Sequence, residues 1–249
     1  MKRYLLLFYG VFAYAVFIMT AIYSIGFLGN IFVARSIDAA ALIPVGEALV
    51  VNASLLLLFG LQHGGMARRP MRIRLARSMG GCLVRSTYVL ASCIAMITVM
   101  LFWQPMGGIV WAVQNQMVSR CIHALYFGAW ALMFYASFLI NHSELFGLRQ
   151  VWTTFRRGYC WGPELRTPGL YRHVRHPIYL GWLLVLWAAP VMTVSHLLFA
   201  TGMTIYMLIE IHLEERDLEA ELPEYQQYKR KVPMLLPSWR KRLLDEPDS

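Results

Sequence analysis

An arginine, a histidine and a proline stand directly before one of the most apolar stretches of the sequence. Arg175, His176 and Pro177 lead into the run at residues 178–189. Proline is tolerated at the first position of a helix, because its missing N–H would have no partner there, so Pro177 predicts a helix start. Free N–H groups at a helix start favour an anion, and Arg175 adds a full positive charge. The nearby hydroxyl groups and ring faces are those of Tyr171 and Tyr179.

Two interpretations of this stretch are open. The first is a binding site for a carboxylate or phosphate at a membrane surface. The second is an anchor for lipid headgroups, because basic and aromatic residues collect at membrane interfaces in any case.

A group of acidic residues accompanies the last apolar run, residues 194–211. Glu214 and Glu215 follow that run, and Glu210 lies near its end. Acidic side chains at the exit of a membrane helix are costly unless they are paired or functional. If the last two apolar runs form a hairpin, the carboxylates meet the cationic residues, and a ligand with both charges, such as S-adenosylmethionine, would suit the pocket. The alternative is a direct ion pair between the glutamates and a neighbouring arginine.

The composition is that of a membrane protein. Of 249 residues, 58% are hydrophobic and 15% are charged, whereas soluble domains average about 25% charged residues. Six apolar runs lie at residues 4–28, 45–61, 87–103, 117–140, 178–189 and 194–211. A membrane-spanning helix needs roughly 20 apolar residues, so the fifth run is short for a full span. We therefore predict an all-α integral membrane protein with five to six transmembrane helices and a cytoplasmic C-terminal helical tail.

Lysine and arginine set the expected orientation. The net charge is +9, but the basic residues lie between the apolar runs rather than along one polar face. With a cytoplasmic N-terminus and six passes, all 23 lysines and arginines except Arg35 and Arg120 fall on the cytoplasmic side, as the positive-inside rule predicts. We expect both termini in the cytoplasm, contacts with membrane lipids, and no nucleic-acid partner.

The whole chain, residues 1–249, is predicted to form one domain. Its first part, residues 1–140, holds four spans, and residues 141–176 form a cytoplasmic interfacial segment. Residues 177–249 form the helical hairpin and the tail around the predicted pocket. The four cysteines have no CxxC spacing, so the sequence predicts no metal site.

Two motifs in the C-terminal part resemble a known family. The stretches TPGLYRHVRHPIYLGW and EERDLEAELPEYQQYKRKVPMLLP are similar, in this order and spacing, to the C-terminal half of the isoprenylcysteine carboxyl methyltransferase-like membrane methyltransferases. In that family this region forms the S-adenosylmethionine pocket. The resemblance implies cofactor-binding roles for ten residues, namely Tyr171, Arg175, His176, Pro177, Tyr179, Glu214, Glu215, Leu218, Tyr225 and Tyr228.

Three N-terminal segments narrow the resemblance. GLQHGGMARRP, RSTYVLAS and NHSELFGLRQVW are similar to segments of the bacterial methanethiol S-methyltransferases, which methylate methanethiol to dimethyl sulfide. The chain departs from their pattern at Gly64 and Gly65, where a serine–valine pair is usual, and at Val84, where an acidic residue is usual. The resemblance implies an S-adenosylmethionine-dependent enzyme of the bacterial inner membrane, with a small thiol substrate (methanethiol, or hydrogen sulfide) and a cytoplasmic active site.

Such a reaction needs a group that generates or holds a thiolate, because the thiolate and not the thiol attacks. The candidates are His63, His142 and Arg149. Each has a structural alternative: His63 would cap its helix, His142 would bond a backbone carbonyl, and Arg149 would bind a lipid phosphate. Two other functions stay open, a methyltransferase acting on a lipid, isoprenoid thiol or amine, and a non-enzymatic polytopic membrane protein.

Overall fold

The computed structural model describes residues 2–159 and 168–237. Residues 160–167 of the predicted interfacial segment, including Thr167 of the first motif, lie outside the described residues. So do residues 238–249 of the predicted tail.

Helices make up most of the described chain. In chain order they are α1 (Lys2–Gly29), α2 (Val45–Ala67), α3 (Arg69–Met79), α4 (Gly81–Phe102), α5 (Gln116–Leu139), α6 (His142–Leu145), α7 (Leu148–Arg157), α8 (Pro177–Trp187), α9 (Val194–Glu221) and α10 (Tyr225–Lys231). A 3₁₀ turn, Gly169–Arg172, precedes α8, and two short strands are β1 (Ile109–Ala112) and β2 (Val191–Thr193). Over these residues, the five helices α1, α2, α4, α5 and α9 are long and apolar enough to cross a membrane. The predicted all-α integral membrane fold is confirmed.

The fifth apolar run forms a short helix, α8, that begins at Pro177 as predicted. Its 11 residues rise about 16 Å, roughly half of a bilayer core. The chain then turns at Pro190 and enters β2, which pairs antiparallel with β1 in the connection between α4 and α5. The connection from α8 to α9 therefore lies at the same end of the bundle as the connection from α4 to α5.

This two-stranded sheet is a feature that the hydropathy pattern does not reveal. The strands have four and three residues, which is too short for an alternating apolar pattern to be read from a sequence. The sheet is extended by a hydrogen bond from the N–H of Val194 to the carbonyl of Gly108, 3.0 Å long.

Helix α8 packs closely on α5 because Gly181 has no side chain. A Cβ at this position would lie 2.3 Å from Cγ of Met133 and 3.2 Å from the carbonyl oxygen of Ala129. Beside this contact the rings of Trp130 and Trp182 meet edge to face, with centroids 5.1 Å apart. The short helix is thus fixed against a full-length span.

Helix α9 is longer than a bilayer core requires. Its 28 residues rise about 42 Å, compared with about 30 Å of hydrocarbon. Ion pairs tie its C-terminal end to the corner between α2 and α3: Arg68 pairs with Glu210 and lies 3.3 Å from Asp217, and Arg72 pairs with Glu221 at 2.6 Å. The acidic end of α9 is therefore held at a fixed place beside α2.

Helix α7, within the predicted interfacial segment, packs along the first turns of α1. Val151 is buried against Gly10, where a Cβ would lie only 2.5 Å from Cγ2 of Val151. One turn further on, Phe155 meets the ring of Tyr4 at 5.1 Å. The outer face carries Trp152, which is half exposed, so α7 is amphipathic as the sequence predicts.

Candidate functional site

The start of α8 is clamped by the chain that follows α10. The N–H of Arg175 donates to the carbonyl of Pro233 at 2.9 Å, and the N–H of His176 donates to the carbonyl of Met234 at 3.1 Å. Two guanidinium hydrogen bonds from Arg175 reach the carbonyls of Lys229 and Val232, at 3.0 and 2.5 Å. The tail thus supplies the acceptors that the residues before the helix need.

Glu215 is the acidic partner of these cations. Its Oε1 accepts a hydrogen bond from Nε of Arg175 at 2.7 Å and lies 3.0 Å from Nε2 of His176. Its Oε2 lies 3.1 Å from Nζ of Lys229, and hydrogen bonds to Glu219 and Glu215 raise the pKa of Lys229. The Glu215 and Arg175 side chains are almost fully buried. For Glu215 the structure shows the ion pair that was the alternative to ligand binding.

Glu214 faces a different set of residues. The hydroxyl of Tyr179 donates to its Oε2 at 3.1 Å. Burial, and after it the negative charge of Glu214, raises the pKa of the Tyr171 hydroxyl. Burial, then the charges of Glu215 and Glu214, also raises the pKa of Tyr225. These two phenols are therefore protonated at neutral pH and lie within electrostatic range of the Glu214 carboxylate.

The remaining tyrosine of the predicted set links the tail to the 3₁₀ turn. The hydroxyl of Tyr228 donates to the carbonyl of Tyr171 at 2.6 Å, and burial raises the pKa of Tyr228 to about 12. The rings of Tyr225 and Tyr228 meet edge to face, 5.7 Å apart. Leu218 is partly buried one turn beyond Glu214. The ten residues predicted for cofactor binding thus come from the 3₁₀ turn, the start of α8, the end of α9 and α10.

His63, near the end of α2, is held by hydrogen bonds at both ring nitrogens. Its Nδ1 lies 2.9 Å from Oγ of Ser92, and its Nε2 lies 2.8 Å from the hydroxyl of Tyr88. The ring stacks on Phe59 at 5.1 Å and meets Tyr206 edge to face at 6.1 Å. The side chain of His63 does not cap α2, which was the structural alternative, because its hydrogen-bond partners are on α4.

An electrostatic contact joins this histidine to the acidic face of α9. Tyr88, the partner of His63, interacts with the charges of Glu210 and Glu214. Arg85 lies over the Tyr88 ring, 5.3 Å from its centroid. The hydroxyl that hydrogen-bonds His63 is therefore within electrostatic range of the Glu210 and Glu214 carboxylates.

His142 and Arg149 belong to another cluster, where α5, α6 and α1 meet. Nε2 of His142 lies 2.9 Å from the hydroxyl of Tyr14, and its Nδ1 lies 2.7 Å from Oγ of Ser137. The ring stacks on Phe138 at 4.4 Å, and burial lowers the pKa of His142. Arg149 donates to Glu144 at 3.0 Å. The structure thus separates these two candidates from His63, whose partners are different.

Four polar residues beside His63 were missed as site residues: Tyr88, Ser92, Tyr206 and Glu210. A signal for them is present in the sequence. Tyr206, Glu210 and Glu214 follow each other at intervals of four, and so do Tyr88 and Ser92, which places each set on one face of its helix.

No protein-family model matches the chain, and no solved structure matches it. Nurim from Xenopus laevis is 31% identical over 183 residues, which cover 67% of this chain and 61% of that protein.

Much stronger similarity is found to a group of bacterial enzymes. The methanethiol S-methyltransferase of Crocosphaera subtropica is 42% identical over 238 residues, covering 95% of this chain and 93% of that protein. The methanethiol S-methyltransferase of Mycobacterium tuberculosis is also 42% identical over 238 residues, covering 95% of this chain and 98% of that protein. The resemblance predicted from the motifs is confirmed, and the chain belongs to the methanethiol S-methyltransferase family.

Proposed function

We propose that this protein transfers a methyl group from S-adenosylmethionine to methanethiol and forms dimethyl sulfide. The observation that carries the proposal is the position of Glu214. Its carboxylate accepts a hydrogen bond from Tyr179 and acts electrostatically on Tyr171 and Tyr225. It also acts electrostatically on Tyr88, whose hydroxyl hydrogen-bonds His63. The proposed cofactor-binding group and the proposed base are therefore electrostatically linked through Tyr88, in a chain whose relatives are named methanethiol S-methyltransferase.

The described residues fit the methyl donor. A carboxylate offers about four acceptor positions, and the hydroxyl of Tyr179 is the one hydrogen-bond donor to Glu214 in residues 2–159 and 168–237. The other positions can accept the ammonium or ribose hydroxyl groups of the donor. The ring faces of Tyr171 and Tyr225 can attract a sulfonium through cation–π contact. S-Adenosylmethionine supplies an electrophilic methyl group on a positively charged sulfur.

Glu215, Arg175 and His176 have a supporting role in this proposal. Glu215 is already ion-paired with Arg175 and lies at hydrogen-bond distance from His176, so these residues position the start of α8 and the turn of α9 that carries Glu214. Arg175 also fixes the tail through the carbonyls of Lys229 and Val232. In this proposal the side chains of these three residues do not bind the cofactor directly. They contribute to its binding through their backbone and through the neighbouring residues that they hold in place.

We assign the role of the base to His63. A neutral imidazole has one nitrogen that donates and one that accepts. With Nδ1–H donating to Ser92, Nε2 accepts the proton of the Tyr88 hydroxyl, and that hydroxyl in turn accepts the proton of the thiol. His142 is enclosed by Tyr14, Ser137 and Phe138, so in this proposal it stabilises the fold.

In this proposal Arg149, like His142, stabilises the fold. It forms an ion pair with Glu144 at 3.0 Å, in the turn that leads from α6 to α7. The turn is tied to α4, because Nε of Arg85 donates to the carbonyl of Leu145 at 2.5 Å. The pairing holds α7 in register with α1 and α4.

The same proposal places the enzyme in the bacterial inner membrane with both termini in the cytoplasm. The five membrane helices and the distribution of lysine and arginine support this orientation under the positive-inside rule. The carboxylates and His63 then lie at the cytoplasmic end of the bundle, where S-adenosylmethionine is available, and membrane lipids surround the apolar faces.

The test is headspace gas chromatography on purified protein in detergent, with S-adenosylmethionine and methanethiol and with controls that lack enzyme or donor. We expect dimethyl sulfide that depends on both. Glu214→Gln should weaken S-adenosylmethionine binding in calorimetry by about 10-fold or more, since a hydrogen bond to a charged group contributes about 1.5–3 kcal/mol. Glu219→Gln, at a partly exposed position of the same helix that pairs with Lys229, is the matched control and should bind normally.

Two results would refute the proposal. The first is donor binding with no methylation of methanethiol, which would point to a lipid or larger thiol as the acceptor. The second is unchanged donor binding in Glu214→Gln, which would remove the proposed cofactor site.

A further inference from the structure

The hydroxyl group of Tyr206 is an unpaired polar group in the interior. It is buried and has no hydrogen-bond partner in the part of the chain that the structure describes. Buried polar groups nearly always have a partner, and an exception calls for an explanation such as a catalytic role. We infer that this hydroxyl is the hydrogen-bond donor that holds the acceptor sulfur, an inference that rests on the proposed methyl transfer.

The ring of Tyr206 is held where α9 crosses α2. It lies over Gly60, where a Cβ would be 3.2 Å from Cδ2 of the ring. The rings of Phe59 and His63 surround it edge to face, at 5.7 and 6.1 Å. Gly60 thus leaves room for the tyrosine ring, and three residues of α2 hold that ring in place.

The surroundings of this hydroxyl are those of a small acceptor site. Tyr206 interacts electrostatically with Tyr88, Glu210 and Glu214, so both the partner of His63 and the predicted cofactor carboxylate act on it. The site wall contributed by Phe59 is apolar. Such surroundings favour a small alkyl thiol, since they remove the hydration shell that makes a thiolate unreactive.

A tyrosine is a suitable donor to a thiolate. Its ordinary pKa is about 10, compared with about 8.5 for a thiol, so the phenol keeps its proton when the sulfur is ionised. The proton of the thiol goes to His63 through Tyr88. The sulfur lone pair forms the bond to the methyl carbon, the bond from that carbon to the sulfonium breaks, and its electron pair stays on the donor sulfur. Tyr206 transfers no proton in this step.

The test is Tyr206→Phe, with Tyr135→Phe as the matched control on an exposed position of α5. Loss of a hydrogen bond to a charged group should lower kcat/KM for methanethiol about 10- to 100-fold. The affinity for S-adenosylmethionine should change less than twofold. The rise of kcat with pH should move to higher pH, because the bound thiol loses the donor that favours its ionised form.

A second readout does not depend on turnover. Calorimetric titration of methanethiol into the complex with S-adenosylhomocysteine should show about 10-fold weaker binding in Tyr206→Phe. If that variant does not fold in detergent, Gly60→Ala serves instead, since its new methyl group would press on the tyrosine ring and displace the hydroxyl. It should lower activity with donor affinity retained.

The outcomes separate this inference from the proposed function. If the wild-type protein forms dimethyl sulfide and Tyr206→Phe keeps its rate, pH profile and thiol affinity, only the role of Tyr206 is refuted. If Tyr206→Phe loses donor binding together with activity, the tyrosine acts on the donor side and the inference is also wrong. If the wild-type protein forms no dimethyl sulfide, it is the proposed function that fails.

Discussion

Replacing Glu215 with glutamine removes the negative charge that Arg175 and His176 face. Arg175 is then left buried, with 9% of its side chain exposed, and with no anion at hydrogen-bond distance among residues 2–159 and 168–237. Breaking a buried ion pair by removing one partner costs about 3–5 kcal/mol. The contact with Lys229 adds little, because 40% of that lysine side chain is exposed and exposed pairs contribute about 0–1 kcal/mol. We therefore expect Glu215→Gln to lower the free energy of unfolding by about 3 kcal/mol.

The assay is thermal unfolding of the purified protein in detergent. For a chain of this length, 1 kcal/mol corresponds to about 2–4 °C in Tm, so the expected decrease is about 6–12 °C. Glu219→Gln is the matched control, because Glu219 pairs with the partly exposed Lys229 and its loss should shift Tm by less than about 4 °C.

A double-mutant cycle with Arg175→Gln separates the ion pair from other effects of the substitution. The double variant should lose less stability than the sum of the two single losses, because the second change removes the buried charge that the first left unpaired. Additive losses, or equal Tm values for Glu215→Gln and Glu219→Gln, would refute the reasoning that Glu215 is a structural anion.

Two further predictions concern stability. Burial lowers the pKa of His142 below its ordinary 6.5, so below about pH 6.5 the unfolded chain binds more protons than the folded one; the Tm should fall as the pH decreases from 6.5, and this pH dependence should be weaker in His142→Gln. Gly181→Ala should cost about 1–3 kcal/mol by overpacking, since its Cβ would meet Met133 at 2.3 Å. In the double variant with Met133→Ala the loss of Tm should be smaller than the sum of the single losses, and strict additivity would contradict the clash.

The membrane spans and the start of α8 could be predicted from the sequence because they depend on local chemistry. Hydropathy and length are sufficient for the five long helices, and Pro177 marks the start of the short one. The strands β1 and β2 could not be predicted in this way. They exist because two connections at one end of the bundle meet, and that meeting is a property of the packed helices.

The site could be predicted only in part, because a single sequence does not tell which face of a helix is turned toward which neighbouring helix. Glu214 and Glu215 are adjacent, so their side chains point about 100° apart on α9. In the structure Glu215 meets Arg175 and Glu214 meets Tyr179. Similarly, His63 and His142 are equal candidates in the sequence, and only the packing of α4 shows which histidine lies near the carboxylates.

The clamp between the tail and the start of α8 has a consequence for synthesis. Membrane proteins are made from the N-terminus, and parts of a chain generally fold in the order in which they emerge. The acceptors for Arg175 and His176 are the carbonyls of Pro233 and Met234, which follow α9, the last of the five long apolar helices of the described chain. The spans can therefore insert into the membrane before this clamp forms, and a nascent chain cannot form the clamp until residue 234 has left the ribosome.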